Sequence, residues 1–256
     1  MNTLLRTDRL TVAIGDVSVC RDLALSVERG QCWAVLGRNG VGKTTLLHTL
    51  SGLRKAQGGE VRYNDHPAAE LSPRERARFL GVVLQHDENP FPVSVRDSVV
   101  QGRYPHRQGW YGYDADDYAA ADNAIARLDL TPYRDRLLHE LSGGERRRVA
   151  LATVFAQDPR VFVLDEPGAH LDVSHQIQFL TTLKQHVDDT GTAAILVIHD
   201  LHLATRFCDQ AALLLGNGRY VIGATQDLLD EETLQQAFGH PIRRVQTEQG
   251  TLFIPR

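Results

Sequence analysis

Eight residues, GRNGVGKT at 37–44, carry the densest chemistry in the chain. They fit G-x-x-x-x-G-K-[ST], follow the apolar run CWAVL, and open KTTLLHTLSGL, which reads as a helix stopped by Gly52. Gly37, Gly40 and Gly42 let main-chain N–H groups curl around phosphate oxygens, and the helix start adds its positive dipole end. Lys43 has the reach and charge for the β- and γ-phosphates of a nucleotide, and Thr44 brings a hydroxyl for Mg²⁺. Arg38, Asn39 and Val41 within the loop, and Thr45 just beyond it, complete the expected nucleotide-binding stretch. A Gly-rich turn that binds nothing would need neither the lysine nor the threonine.

A second element completes a phosphoryl-transfer site. VFVLDE (161–166) is an apolar strand ending in two carboxylates. Asp165 is placed to hold the Mg²⁺ shell, directly or through water. Glu166, one residue on, stands where a base can polarise the attacking water. Taken alone, a charged turn after a strand would explain both residues; the phosphate loop upstream changes that reading. Gln85 ends LGVVLQ, where its amide can reach metal or water. His199 ends AAILVIH, where a neutral imidazole can donate to a γ-phosphate, and a polar residue at a strand end is the plainer account of each.

The stretch LSGGE (141–145) poses a different question. Ser142 and Glu145 make a capping box at a helix start. That explains neither Gly143 nor Gly144, since each glycine in a helix costs about 1 kcal/mol relative to alanine. Two residues without Cβ at a helix start expose bare N–H groups to an anion. The chain therefore carries two phosphate-grade surfaces but one complete nucleotide site.

The elements that must position these residues alternate. RLTVAIGDVSVC, LALSVERG and QCWAVLG read as strands, GGEVRYN as another, and SPRERARF as a helix capped by Ser72 with Pro73 at its first position. From 86 to 158 strand signals give way to helices, in SVRDSVVQG, ADDYAAADNAIARLDL and GGERRRVALATVFAQ. This reads as a helical lobe, 86–158, inserted into an α/β core of 1–85 and 159–256. After it, VFVLDE, SHQIQFLTTLKQHV, AAILVIHD, LHLATRFC and AALLL alternate strand and helix, before a hairpin at GNGR, a helix at DEETLQQAFG and a last hairpin near TEQG. The whole of 1–256 forms a single domain.

The 256 residues carry a formal net charge of −4, with 42% hydrophobic and 23% charged residues, the profile of a globular protein with one large core. The mild acidity gives no support to a nucleic-acid partner. No apolar run approaches the ~18 residues of a membrane helix, and MNTLLRTDRL lacks the features of a signal peptide. Cys20, Cys32 and Cys208 are scattered without a CxxC pair, so buried apolar thiols are expected rather than disulfides or a zinc site.

The order GRNGVGKT, Gln85, LSGGE, VFVLDE, HLD (170–172) and His199 resembles the ATP-binding cassette of ABC transporters over nearly the whole chain. The resemblance implies an α/β P-loop NTPase fold with a RecA-like core, an N-terminal antiparallel β subdomain and the inserted helical lobe. It implies an ATP hydrolase using ATP and Mg²⁺, with Thr44, Gln85 and Asp165 around the metal, Glu166 as catalytic base and His199 as switch histidine. Two copies would pair head to tail, so that Leu141, Ser142, Gly143, Gly144 and Glu145 of one grip the γ-phosphate held by the other, with Asp172 in the loop facing the opposite site. The lobe would take a coupling helix of a permease near Gln85. The protein would then sit on the cytoplasmic face of the inner (plasma) membrane, held by two transmembrane subunits and served by a substrate-binding protein.

Two positions depart from the family pattern. Ile14 stands where an aromatic usually stacks on adenine, leaving an apolar contact only; and Pro167-Gly168-Ala169 stands where P-T-S/A is common. VSVRDSVVQGRYPH (93–106), LSGGERRRVALATVFAQDP and HDLHLATRFCDQ are similar to the importers of ferric siderophores, haem and cobalamin, with HDLHLA and FGHPIRRV tilting toward cobalamin or siderophore. A soluble ABC ATPase of the iron–sulfur assembly type is the alternative. An exporter cassette is a further one, whereas a DNA-repair clamp would need a coiled-coil heptad run that is absent. The aromatic loop RQGWYGYDADD (107–117), with Trp110, either anchors its own lobe or meets the membrane partner.

Overall fold

The computed structural model describes residues 2–84, 92–107, 112–247 and 250–256; Gln85, Trp110 and Tyr111 lie outside the described residues. Strands β1 (Thr3–Ile14), β2 (Val17–Leu23) and β3 (Ser26–Glu28) lead into β4 (Cys32–Leu36) and helix α1 (Lys43–Leu50). β5 (Gly58–Tyr63) then returns to β1, which pairs antiparallel with β2, β3 and β5, and the two-residue β6 (His66–Pro67) pairs with β5. α2 (Pro73–Phe79) and β7 (Leu80–Val83) precede the helical stretch of α3 (Val95–Val100), α4 (Ala115–Arg127) and α5 (Gly143–Gln157). The chain continues through β8 (Val161–Asp165), α6 (Val173–Thr190), β9 (Ala193–Val197), α7 (Leu201–Phe207), β10 (Gln210–Gly216) and β11 (Arg219–Ala224). It closes with α8 (Thr225–Leu228), α9 (Glu231–Phe238) and the hairpin β12 (Ile242–Thr247) and β13 (Gly250–Pro255).

The main sheet has the order β11-β10-β4-β9-β8-β7, parallel from β10 to β7, with β11 antiparallel at one edge. Parallel strands covered on both faces read as unbroken apolar runs, and β4, β8 and β9 are buried at every position. Their side chains sort by the two-residue period of a strand. Cys32, Ala34, Leu36, Phe162, Leu164, Ala194 and Leu196 enter one apolar cluster, which α3 to α7 share. Trp33, Val35, Val161, Val163, Ala193, Ile195 and Val197 enter a second cluster, formed with α1 and the antiparallel strands. The helices of 95–157 thus bury their apolar stripes in the same cluster as one face of the sheet. The three cysteines are free and buried, as expected, and burial pushes the Cys20 thiol to about 11 and Cys32 to about 12.

Polar contacts fix the helices to each other. Asp122 of α4 accepts both arms of Arg96 from α3, at 2.9 and 2.8 Å, and Arg134 at 3.1 Å; the Arg96 bonds hold its carboxyl below the usual range. Arg103 bridges Asp117 of α4 and the Ala156 carbonyl of α5. At the junction of lobe and sheet, the His186 ring lies edge-on to Phe155 and Phe162, with centroids 5.4 and 5.5 Å away. Its Nδ1 is 3.1 Å from Arg127 Nη1, which can only donate, so the neutral ring carries its proton on Nε2. Burial lowers the His186 pKa, and Arg127 adds to the shift against weaker pulls from Asp158 and Asp189.

A histidine with a depressed folded pKa leaves the unfolded chain binding more protons as pH falls below its ordinary value near 6.5. Stability is therefore expected to hold above about pH 6.5 and to fall as pH drops toward 5. Replacing His186 by Leu should flatten that limb of a melting-temperature profile against pH. An unchanged slope would assign it to other groups.

Candidate functional site

Parallel strands place all their carboxyl ends on one edge, and the expected site residues gather there. β4 turns into the phosphate loop, whose glycines take left-handed or extreme φ values of 140° at Gly37, 77° at Gly40 and 105° at Gly42. A Cβ at Gly42 would lie 2.4 Å from the Val19 side chain, so the loop also packs tightly on β2. α1 begins without a side-chain cap, in contrast to the side-chain caps of α2 to α7 and α9. Its first-turn N–H groups are thus left for a ligand, at the end of the helix that favours negative charge. Lys43 is buried under the loop, with Nζ donating to the carbonyls of Gly37 at 2.8 Å and Arg38 at 3.2 Å. Burial lowers its pKa, opposed by the charges of Glu166 and Asp165, so the ammonium and both carboxylates share one field.

β8 delivers Asp165, fully buried, with neither carboxylate oxygen hydrogen-bonded. A sealed, unpaired carboxylate is costly. Its charge acts on Lys43 of the phosphate loop, and its oxygens together with the Thr44 hydroxyl are donors that could hold a hard cation. This donor set fits Mg²⁺, which keeps most of its shell as water and phosphate oxygens. Among the described residues there is no cluster of three or more His, Cys, Asp or Glu side chains fit to hold a metal by themselves. Glu166 follows in the left-handed region, φ 47°. Its Oε1 accepts from His199 Nε2 at 2.6 Å, bringing together a residue just past β8 and one just past β9. A cavity of about 210 Å³, lined by Gly168, Gln176 and Leu203 among others, opens beside this pair.

LSGGE forms the start of α5. Both bonds of the capping box are present: Glu145 N–H donates to Ser142 Oγ at 3.3 Å, and Ser142 N–H to Glu145 Oε2 at 2.6 Å. The two glycines separate in role. A Cβ at Gly144 would stand 2.9 Å from the His170 carbonyl, so that glycine allows the helix to rest on the 167–172 loop. At Gly143 nothing lies within 4 Å, and no contact inside the chain accounts for it. Ser142 and Gly143 are exposed, and Leu141 is buried beneath them. Asp172 caps α6, accepting from His175 N–H at 2.9 Å and pairing with its Nδ1 at 2.7 Å; the backbone bond leads the lowering of its pKa.

Ile14 ends β1 and is 44% exposed, opposite Val17 at 45%. Val17 pairs with Ile14 two residues before Val19, the neighbour of Gly42, so Val17 joins Ile14 as an apolar surface near the phosphate loop that the sequence reading missed. At Gly168 an added Cβ would meet the Gln176 side chain, with Nε2 2.3 Å away, so a larger residue there must move that side chain. The second omission is Arg147. It lies on the inward face of α5 with Leu151 and Val154, a cation in an apolar stripe, and that pattern was the available signal. Arg147 donates to the carbonyls of Leu84, Asp165, Glu166 and Pro167.

Comparison with known proteins follows the same lines. The family described as ABC transporter matches residues 20–169. The petrobactin import ATP-binding protein of Bacillus anthracis is 31% identical over 238 residues, 93% of this chain and 87% of the relative. The hemin import ATP-binding protein of Rhodococcus jostii (strain RHA1) is 34% identical over 254 residues, 98% of this chain and 86% of the relative. Among solved structures, a chain from a transporter described as metal-chelate type, in an inward-facing conformation, has a TM-score of 0.86. The likeness covers 100% of this chain and 98% of that one, at 27% identity.

The two glycines of α5 give a direct test. Gly144→Ala must displace the His170 carbonyl and should cost about 1–3 kcal/mol in urea unfolding. Gly143→Ala should leave stability unchanged or raise it by about 0.4–1 kcal/mol. Equal costs would mean that Gly143 also serves the fold.

Proposed function

Because the chain belongs to the ABC transporter family, as one of its ATP-binding subunits, we propose that it hydrolyses ATP to drive import of a bulky metal chelate through separate membrane subunits. The observation that carries the catalytic part is the convergence on one sheet edge of an uncapped helix start, a buried Lys43, the unpaired Asp165 and the Glu166–His199 pair. In this reading the N–H groups of 37–45 and Lys43 hold the phosphates, and Ile14 with Val17 covers one face of the adenine. Thr44 and Asp165, with Gln85, hold Mg²⁺. The ion, when bound, neutralises phosphate charge. Glu166 takes the proton of the attacking water at its carboxylate. His199 holds that carboxylate through its Nε2–H in the nucleotide-free chain and turns this N–H to the γ-phosphate once nucleotide is present.

The other half of each site comes from a second copy, arranged head to tail. The exposed Ser142 and the unobstructed Gly143 support this reading, because a solvent-facing helix start without a Cβ at 143 is open to an approaching anion. Leu141, Gly144 and Glu145 shape that donor turn, and Asp172 holds the adjacent loop. Among the described residues no helix is long and apolar enough to cross a membrane, so transport requires permease subunits, which would hold the protein at the cytoplasmic face of the membrane. The open groove between α2 and residues 101–106, lined by Ser72, Pro73, Arg74, Tyr104, Pro105 and Arg107, is the surface proposed for them; Tyr104 is 66% exposed there. For cargo, cobalamin or a ferric siderophore stands ahead of haem on the likeness of HDLHLA (199–204) and FGHPIRRV (238–245). That relatives named for petrobactin and hemin import are both about a third identical to this chain supports a reading in which other subunits choose the cargo.

Glu166→Gln is expected to bind ATP normally and lose roughly 10²–10⁴ of the hydrolysis rate, the scale of a general base; retained turnover would remove Glu166 from that role. Ser142→Arg should leave ATP binding by the single chain intact and abolish ATP-driven pairing in sedimentation, and normal pairing would sink the shared site. Uptake of labelled cobalamin, a ferric siderophore and haem, with and without this gene, tests the cargo. Loss of one, restored by the wild type but not by Glu166→Gln, identifies it. Unchanged uptake of all three, with redundant transporters removed, would favour a soluble ABC ATPase or another cargo.

A further inference from the structure

Arg147 stands one turn into α5 and is 7% exposed. Its guanidinium is a rigid planar fork of five donors, and here it spans two strand ends. Nη1 donates to the Leu84 carbonyl at 2.6 Å, just past β7. Nη2 donates to the carbonyls of Asp165 at 2.6 Å and Glu166 at 2.9 Å, and Nε to Pro167 at 3.4 Å, at and past the end of β8. One side chain thus ties the helix that carries Ser142 and Gly143 to the backbone that carries Asp165 and Glu166. It also ties that helix to the residue preceding Gln85.

Glu166 makes this tie consequential. A non-glycine residue in the left-handed region is sparsely populated and persists when its surroundings hold it. The Glu166 carbonyl is held by Arg147 Nη2 and by the Ala169 N–H at 3.0 Å. That backbone conformation sets the direction in which the carboxylate leaves the chain, toward His199. The contact of Gly144 with the His170 carbonyl braces the same helix against the far end of the 167–172 loop.

We propose that Arg147 is a positioning residue for hydrolysis, fixing the aim of the Glu166 carboxylate and making it depend on where α5 sits. The inference rests on Glu166 being the base that takes the water's proton.

The purified full chain carries the test, as wild type, Arg147→Met, Arg147→Lys, Glu166→Gln and the Arg147→Met/Glu166→Gln double variant. Hydrolysis is measured across ATP concentrations, with nucleotide affinity from a fluorescent ATP analogue. Arg147→Met should lower kcat about ten- to a hundredfold, the scale of a misplaced catalytic group, with KM and nucleotide affinity within about twofold. Arg147→Lys keeps the charge but replaces the fork with a single nitrogen. It should fold as the wild type does and fall between the two, and it carries the test alone if Arg147→Met does not fold. In the Glu166→Gln background, Arg147→Met should cost nothing further. Wild-type kcat in both Arg147 variants, with Glu166→Gln silenced, overturns this proposal alone. A loss shared by affinity and KM, or a full further loss in the double variant, also overturns it, since Arg147 would then act through the phosphate loop or the fold. Full turnover in Glu166→Gln overturns both the general-base reading and the positioning role built on it.

Discussion

A parallel sheet delivers every strand end to the same edge, and that constraint organises the rest of the molecule. β4, β8 and β9 lie side by side, so the phosphate loop, the Asp165–Glu166 turn and His199 become neighbours although they are spread from residue 37 to 199. The arrangement requires cover on both faces, because each of these strands is buried throughout. α1 and the antiparallel strands cover one face, and α6 with the helical stretch covers the other. The catalytic edge is what remains open once both faces are closed.

The charges at that edge are arranged against one another. Lys43 is buried beneath a loop built to hold anions, two carboxylates act on its ammonium, and Asp165 has no hydrogen-bond donor of its own. Buried polar groups in this state are expensive, and such strain concentrates where function requires it. The left-handed Glu166 belongs to the same pattern, with its carbonyl anchored while its carboxylate stays within reach of solvent and His199.

What could be read in the sequence was what local chemistry determines. The phosphate loop, the Ser72 cap, the Ser142 capping box, the buried strands and the closing hairpins follow from residue types at short spacing, and the structure has them. The two-residue β6 and the four-residue α8 were not foreseen, because segments that short carry no periodic signal. The glycines at 143 and 144 looked alike until the His170 carbonyl gave one of them a neighbour. Val17 and Arg147 were missed for the same reason. Their roles lie in contacts made by chain far away in sequence, at Gly42 for the strand of one and at Leu84 and Asp165 for the other. A single sequence does not encode those separations as a pattern.

The apolar cluster that runs from the helices of 95–157 into one face of the sheet has a mechanical consequence. Phe155, Phe162, Phe179 and His186 interlock across that boundary without a solvent layer between them. Swinging the lobe open like a door would tear a dry seam and expose aromatic surface to water. Small sliding of packed helices preserves the seam. The packing therefore favours sliding over hinging, with α5 held as a rigid strut against the face of the sheet.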